Sequence, residues 1–233
     1  MKLYPRVFAD VLRGPLWAFL HLYLDLRFGA RAAFPDGPKV FAVNHPTVWD
    51  AFPLLVHVRK EPLHVLVEEQ VWSFAVPAFL FRLANQIVLY RSSEESWKTI
   101  EDALFVLSRG HSILIAPEGE RTAPDTQVRA RRGVVRLALG GRARIVPVGV
   151  WIDPQDIVMR PVSYRHQGQE YTVDSYFPRF RAKYGVMFGE PIVLDEYFEK
   201  RISWEHYQSL ASHVLERVRT LSEEARSLFP EKT

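Results

Sequence analysis

The apolar positions of this chain follow two rhythms. From residue 39 onward, short unbroken runs of Val, Ile, Leu and Phe alternate with longer stretches in which apolar residues return every three or four positions. The runs lie at 39–43, 63–67, 86–90, 112–116, 145–150 and 186–193, and their length and composition are those of buried strands. Between them, 47–58, 71–84, 94–109 and 128–140 read as helices. Strand and helix in alternation predict βα units, and hence an α/β fold with a largely parallel sheet flanked by helices. Residues 5–28 read as an amphipathic helical segment broken at Gly14-Pro15, and Phe34-Pro35-Asp36-Gly37-Pro38 as a turn. The chain thus divides into an N-terminal segment, 1–36, and an α/β domain, 37–233. Residues 152–185 show no clear period, carry an aromatic-rich stretch from Tyr171 to Tyr184, and read as a hairpin or similar excursion; 196–228 read as terminal helices packed on the sheet.

Sites in parallel sheets form beyond the C-terminal ends of the strands. Three polar residues fall there: His45 after the run 39–43, Arg91 after 86–90 and Glu118 after 112–116. His45 opens the stretch His45-Pro46-Thr47-Val48-Trp49-Asp50. A histidine titrates near neutral pH and can take a proton from an attacking hydroxyl, while a carboxylate on its other ring nitrogen fixes the tautomer. The same residues fit a capping box, with Thr47 as N-cap and Asp50 three residues on. One aspartate can serve both purposes. After Glu118, Gly119 permits close backbone approach to a ligand, and Arg121 offers a fork suited to phosphate or carboxylate. Seven arginines and one acid, Asp125, lie between 121 and 144. Most read as a solvated helix face, with Arg121 and Arg132 the exceptions; no nucleic-acid-binding motif accompanies them.

Composition narrows the classes. The absence of cysteine excludes disulfides, thiolate metal sites and a cysteine nucleophile. A net charge of +3 and a pI near 9.2 suit an anionic surface or anionic substrates. No charge-free apolar run reaches the roughly 18 residues of a membrane span, and the first residues lack the pattern of a secretory signal. Segment 5–28 combines apolar and aromatic residues with Arg6, Arg13 and Arg27. It reads equally as a helix lying in a bilayer interface or as one packed on its own domain. His57, His64, His111, His206 and His213 read as structural.

Taken together, four motifs resemble the glycerolipid acyltransferases of the 1-acylglycerol-3-phosphate acyltransferase type. Asn44-His45-(x4)-Asp50 is similar to the family's His-x4-Asp signature, and Gln86–Arg91 to its second motif, which ends in a substrate-binding arginine. Pro117-Glu118-Gly119-Glu120-Arg121 resembles the third, usually Phe-Pro-Glu-Gly-Thr-Arg, and Ile145-Val146-Pro147-Val148 the fourth. Ala116 and Glu120 depart from the third motif, and Arg132-Gly133 stands where the family often has a lysine before a small residue; Glu120 bears on the choice of acceptor.

The resemblance implies transfer of a fatty acyl group from acyl-CoA or acyl-carrier protein to the hydroxyl of 1-acylglycerol-3-phosphate, giving phosphatidic acid. His45 would be the general base and Asp50 its orienting partner. Arg91 and Arg121 would hold the acceptor phosphate, and Glu118, Gly119 and Arg132 would complete the substrate site. No metal, prosthetic group or nucleic acid is implied, and the protein would sit peripherally on the cytoplasmic face of the cell membrane. Glycerol 3-phosphate, another lipid alcohol or an amine are alternative acceptors. A catalytically silent lipid-binding protein of the same fold is the alternative from another class.

Overall fold

A computed structural model describes residues 6–92, 94–119, 128–166 and 168–230. Helix α1 (Arg6–Tyr23) leads into strand β1 (Asp25–Ala30). Then follow β2 (Lys39–Val43), α2 (Ala51–His57), β3 (Leu63–Glu68), α3 (Ala75–Leu83), β4 (Ile87–Leu89), α4 (Ser96–Ser108), β5 (Ser112–Ile115), α5 (Gly133–Gly140) and β6 (Arg144–Ile152). A hairpin of β7 (Ile157–His166) and β8 (Gln169–Pro178) precedes β9 (Lys183–Phe188) and the long helix α6 (Trp204–Arg226).

Seven strands form one sheet in the order β1-β9-β6-β2-β5-β3-β4. The five from β6 to β4 are mutually parallel; β9 runs antiparallel to β6, and β1 parallel to β9. The central strand β2 is buried throughout because both faces are covered. Phe41 and Val43 pack in the cluster that includes α1 and α2, whereas Val40 and Ala42 pack on the other face with α4, α5 and α6. That division is the two-residue period of a strand. On the second face α6 approaches so closely that a Cβ on Gly149 would lie 2.0 Å from the Ser222 nitrogen. At the end of the sheet away from the site, buried Lys39 pairs with Glu61 at 2.8 Å.

The parallel α/β architecture agrees with the sequence reading. The boundaries of several elements differ. The helix expected over 5–28 is not broken at Gly14-Pro15: α1 runs through Pro15, and the lost backbone bond is outweighed by anchoring of Leu20 and Leu24 in the core. It ends at Tyr23, because residues 25–30 become β1, where they satisfy their backbone groups against β9. A boundary at residue 36 therefore does not separate a helical segment from the sheet. Residues 152–185, expected as a hairpin or excursion, form an antiparallel hairpin paired from Ile157–Pro178 to His166–Gln169. Finally, the run 128–140 is helical only from Gly133, and the run 186–193 is a strand only as far as Phe188.

Candidate active site

The C-terminal ends of β2, β3, β4, β5 and β6 share one rim. The chain leaves β2 through Asn44, whose side-chain amide donates to the Val150 carbonyl at 2.8 Å and accepts from the Val150 N–H at 2.7 Å. This bidentate bridge continues the β2–β6 ladder by one residue and fixes where His45 begins. The turn from His45 to Asp50 is then folded around a single carboxylate. Asp50 Oδ2 accepts from the Thr47 N–H at 2.9 Å and lies 2.7 Å from His45 Nδ1. Oδ1 accepts from the Thr47 hydroxyl at 2.7 Å and from the Tyr184 hydroxyl. The Thr47 hydroxyl accepts from the Trp49 N–H at 3.2 Å. Asp50 thus reaches back to the Thr47 N–H as in a capping box, but α2 starts only at Ala51, with Asp50 rather than Thr47 at its N-cap and no side-chain cap bond.

Asp50 is buried, whereas the His45 side chain is about one third exposed. Against an ionised carboxylate, which only accepts, Nδ1 carries the proton. Nε2 then keeps its lone pair, the tautomer a general base requires. The His45 backbone N–H also donates to Glu118 Oε2 at 3.2 Å, which joins the β5 loop to the β2 loop.

Arg91, just past β4, pairs with Glu68 at the end of β3 (Nε to Oε1, 2.9 Å) and donates from Nη2 to the Gly119 carbonyl. These bonds engage Nε and Nη2, and Nη1 makes none among the described residues. Glu68 belongs to the site and escaped the sequence reading, since it is one acid among many at a strand end. Gly119 adopts φ +78°, and a Cβ there would meet the Arg131 side chain at 2.5 Å. The turn at Gly119 thus leaves room for the Arg131 side chain. The Arg132 guanidinium lies over the Trp204 ring at the start of α6, and its Nη1 is buried without a hydrogen-bond partner among the described residues. Arg121, and Glu120 beside it, lie outside the described residues.

Tyr184 also escaped the sequence reading. It is the second residue of β9, opposite Ile152 at the end of β6, and so reaches the rim from a strand running the other way. The hairpin is tied to the same turn by the Val48 N–H, which donates to the Tyr176 carbonyl at 3.0 Å. Trp49 packs on Phe19 and Tyr23 of α1, with ring centroids 5.5 and 4.8 Å away. Among the described residues no group of three or more His, Asp or Glu is arranged to hold a metal.

A family model described as Acyltransferase matches residues 26–151, more than half of the chain and all of the rim from β2 to β6. The chain belongs to the acyltransferase family. The 1-acyl-sn-glycerol-3-phosphate acyltransferase of Cocos nucifera is 28% identical over 121 residues, which cover 49% of this chain and 38% of that one. The acyltransferase thus spans well under half the length of this relative. The crystal structure of PlsC, the 1-acyl-sn-glycerophosphate (LPA) acyltransferase of Thermotoga maritima, superposes with a TM-score of 0.64 at 18% identity, over 96% of this chain and 83% of that one. That likeness concerns the fold.

Proposed function

We propose that this acyltransferase moves a fatty acyl group from acyl-CoA or acyl-carrier protein to the hydroxyl of 1-acylglycerol-3-phosphate, giving phosphatidic acid. The observation that carries the reading is the 2.7 Å contact between His45 Nδ1 and the buried Asp50 carboxylate on the rim of a parallel sheet. His45 Nε2 removes the acceptor hydroxyl proton as the oxygen attacks the thioester carbonyl. The tetrahedral intermediate collapses with cleavage of the C–S bond. The leaving thiolate takes the proton from the imidazolium and departs as the free thiol. Acceptor and donor react directly, so no acyl-enzyme and no prosthetic group is needed. Arg91, with Arg121, holds the acceptor phosphate; Glu118 orders the loop that carries His45.

A lipid acceptor favours a peripheral seat on a membrane surface, and acyl-CoA or acyl-carrier protein as donor favours its cytoplasmic face. No described helix is long and apolar enough to cross a bilayer. Helix α1 turns Val11, Phe19 and Leu22 to the outside while Leu20 is fully buried. This arrangement supports a helix that packs on its domain and lies in the interface at once. The test is release of free thiol from acyl-CoA in the presence of 1-acylglycerol-3-phosphate, glycerol 3-phosphate or a neutral lipid alcohol, with products identified by mass spectrometry. Acylation of the first acceptor, lost in His45→Ala, supports the reading. Absence of thiol release with every acceptor would leave a catalytically silent lipid-binding protein.

A further inference from the structure

Asp50 is surrounded by more donors than a capping residue needs. Both of its oxygens accept two hydrogen bonds: Oδ2 from His45 Nδ1 and the Thr47 N–H, Oδ1 from the Thr47 hydroxyl and the Tyr184 hydroxyl. Three of these donors come from the turn itself. The fourth arrives from β9, 134 residues away in sequence, on a fully buried tyrosine. We propose that Tyr184 is a positioning residue for acyl transfer, whose hydroxyl bonds Asp50 Oδ1 and so turns Oδ2 toward His45 and limits how strongly the carboxylate draws the imidazole proton. The proposal rests on His45 being the base.

The physical argument has two parts. First, a carboxylate held on one oxygen by two hydroxyls cannot rotate about its Cβ–Cγ bond without breaking both bonds. The Oδ2–Nδ1 alignment is then fixed before substrate arrives. Second, each donor to a carboxylate stabilises its charge and lowers its affinity for a proton. A tyrosine hydroxyl can do this over the whole working range, because burial, and next the Asp50 charge, push its own ionisation well above the ordinary phenol value. Tyr184 therefore remains a donor. Other charged groups stand on the elements around this pair. They are Glu118, which accepts from the His45 N–H, Lys183 beside Tyr184, and Asp156, which accepts from the Lys183 N–H. Replacing Tyr184 by phenylalanine leaves all of them in place and removes one oxygen atom.

The experiment compares wild type, Tyr184→Phe and His45→Ala in the same acyl-transfer assay across pH, with a thermal melt of each. With its fourth donor removed, the His45–Asp50 pair takes up a proton more readily. The acidic limb of the kcat/KM profile of Tyr184→Phe should then move to higher pH by about one to two units, the proton-affinity equivalent of a hydrogen bond to a charged group. The KM values for donor and acceptor should stay within about twofold. A second readout needs no substrate: the low-field proton resonance of His45 Nδ1–H should move further downfield in Tyr184→Phe, as its acceptor becomes more basic. An unmoved limb together with an unmoved resonance overturns the proposal, even if stability or the plateau rate falls. Turnover retained in His45→Ala overturns the underlying assignment of the base instead, so the two failures are distinguishable.

Discussion

The His45 imidazole and the Thr47 backbone share one acceptor: Asp50 Oδ2 lies 2.7 Å from the ring nitrogen and 2.9 Å from the amide. The turn that presents His45 and the group that orients its ring are the same object. An Asp50→Asn variant cannot accept at every oxygen position, since one becomes an NH2 group facing either donors or the two hydroxyls. We expect a rate loss of about 10²–10⁴ and a loss of stability of about 1–3 kcal/mol from the mismatched buried donor. His45→Ala should abolish turnover with little change in melting temperature, because Asp50 keeps three donors. Equal stability losses in both variants would contradict this account.

Arg91 is held between Glu68 and the Gly119 carbonyl. Its pair with Glu68 is solvent-accessible and contributes little to stability. Arg91→Ala should therefore leave the melt nearly unchanged while raising KM for a phosphorylated acceptor about 10–100-fold, the equivalent of about 1.5–3 kcal/mol for a charge-assisted bond. The acyl-donor KM should not move. Glu68→Gln should have the smaller effect on the acceptor, since it misplaces Arg91 without removing it.

A protein shortened to begin near Phe34 would lose Leu20, Leu24 and all of β1, so it should not fold. Point changes on the outer face of α1 test the membrane reading better. Leu22→Asp and Val11→Asp, at positions 70% and 66% exposed, should keep the melting temperature and lower co-flotation with anionic vesicles several-fold. Unchanged flotation would place the membrane contact elsewhere.

His64 is buried with Nδ1 2.7 Å from the Asn85 carbonyl and Nε2 2.9 Å from His111 Nδ1. Burial lowers its pKa to about 4, against 6.5 for an accessible histidine. The folded state therefore disfavours its protonation. Its contribution is fully present above pH 6.5 and is lost as pH falls from there toward 4. Urea midpoints measured at pH 7 and pH 4.5 should differ, and His64→Gln should reduce that difference by a contribution on the order of 2–3 kcal/mol. A slope unchanged by the substitution would assign the acid sensitivity to other groups.

The strands of the rim were legible because strands covered on both faces must be apolar throughout, as in Val40-Phe41-Ala42-Val43. His45, Glu118 and Arg91 could be placed because chain direction in a parallel sheet fixes which strand ends meet. β1 was not legible: its Leu26 and Phe28 continue the apolar spacing of α1, and only pairing with β9 makes the segment extended. Tyr184 and Glu68 have no local signature, since their roles exist only across 134 and 23 residues of separation. The contact of Arg132 with Trp204 was not legible, since nothing in the spacing of the arginines foretells a ring 72 residues on.

The first strand of the sheet has one neighbour, and that neighbour is the last strand made. Asp25–Ala30 pairs only with Lys183–Phe188, so about 150 residues must be synthesised before β1 finds its partner. At the ribosome's elongation rate of about 5–20 residues per second, that interval lasts on the order of ten seconds or more. Throughout it, Leu20 on the inner face of α1, and Leu24 just after the helix, lack the packing they acquire in the finished core. The emerging helix then exposes apolar surface that the folded one buries, and the interfacial seating proposed for α1 would draw on that same surface. Membrane encounter and folding would then compete for the same residues in time.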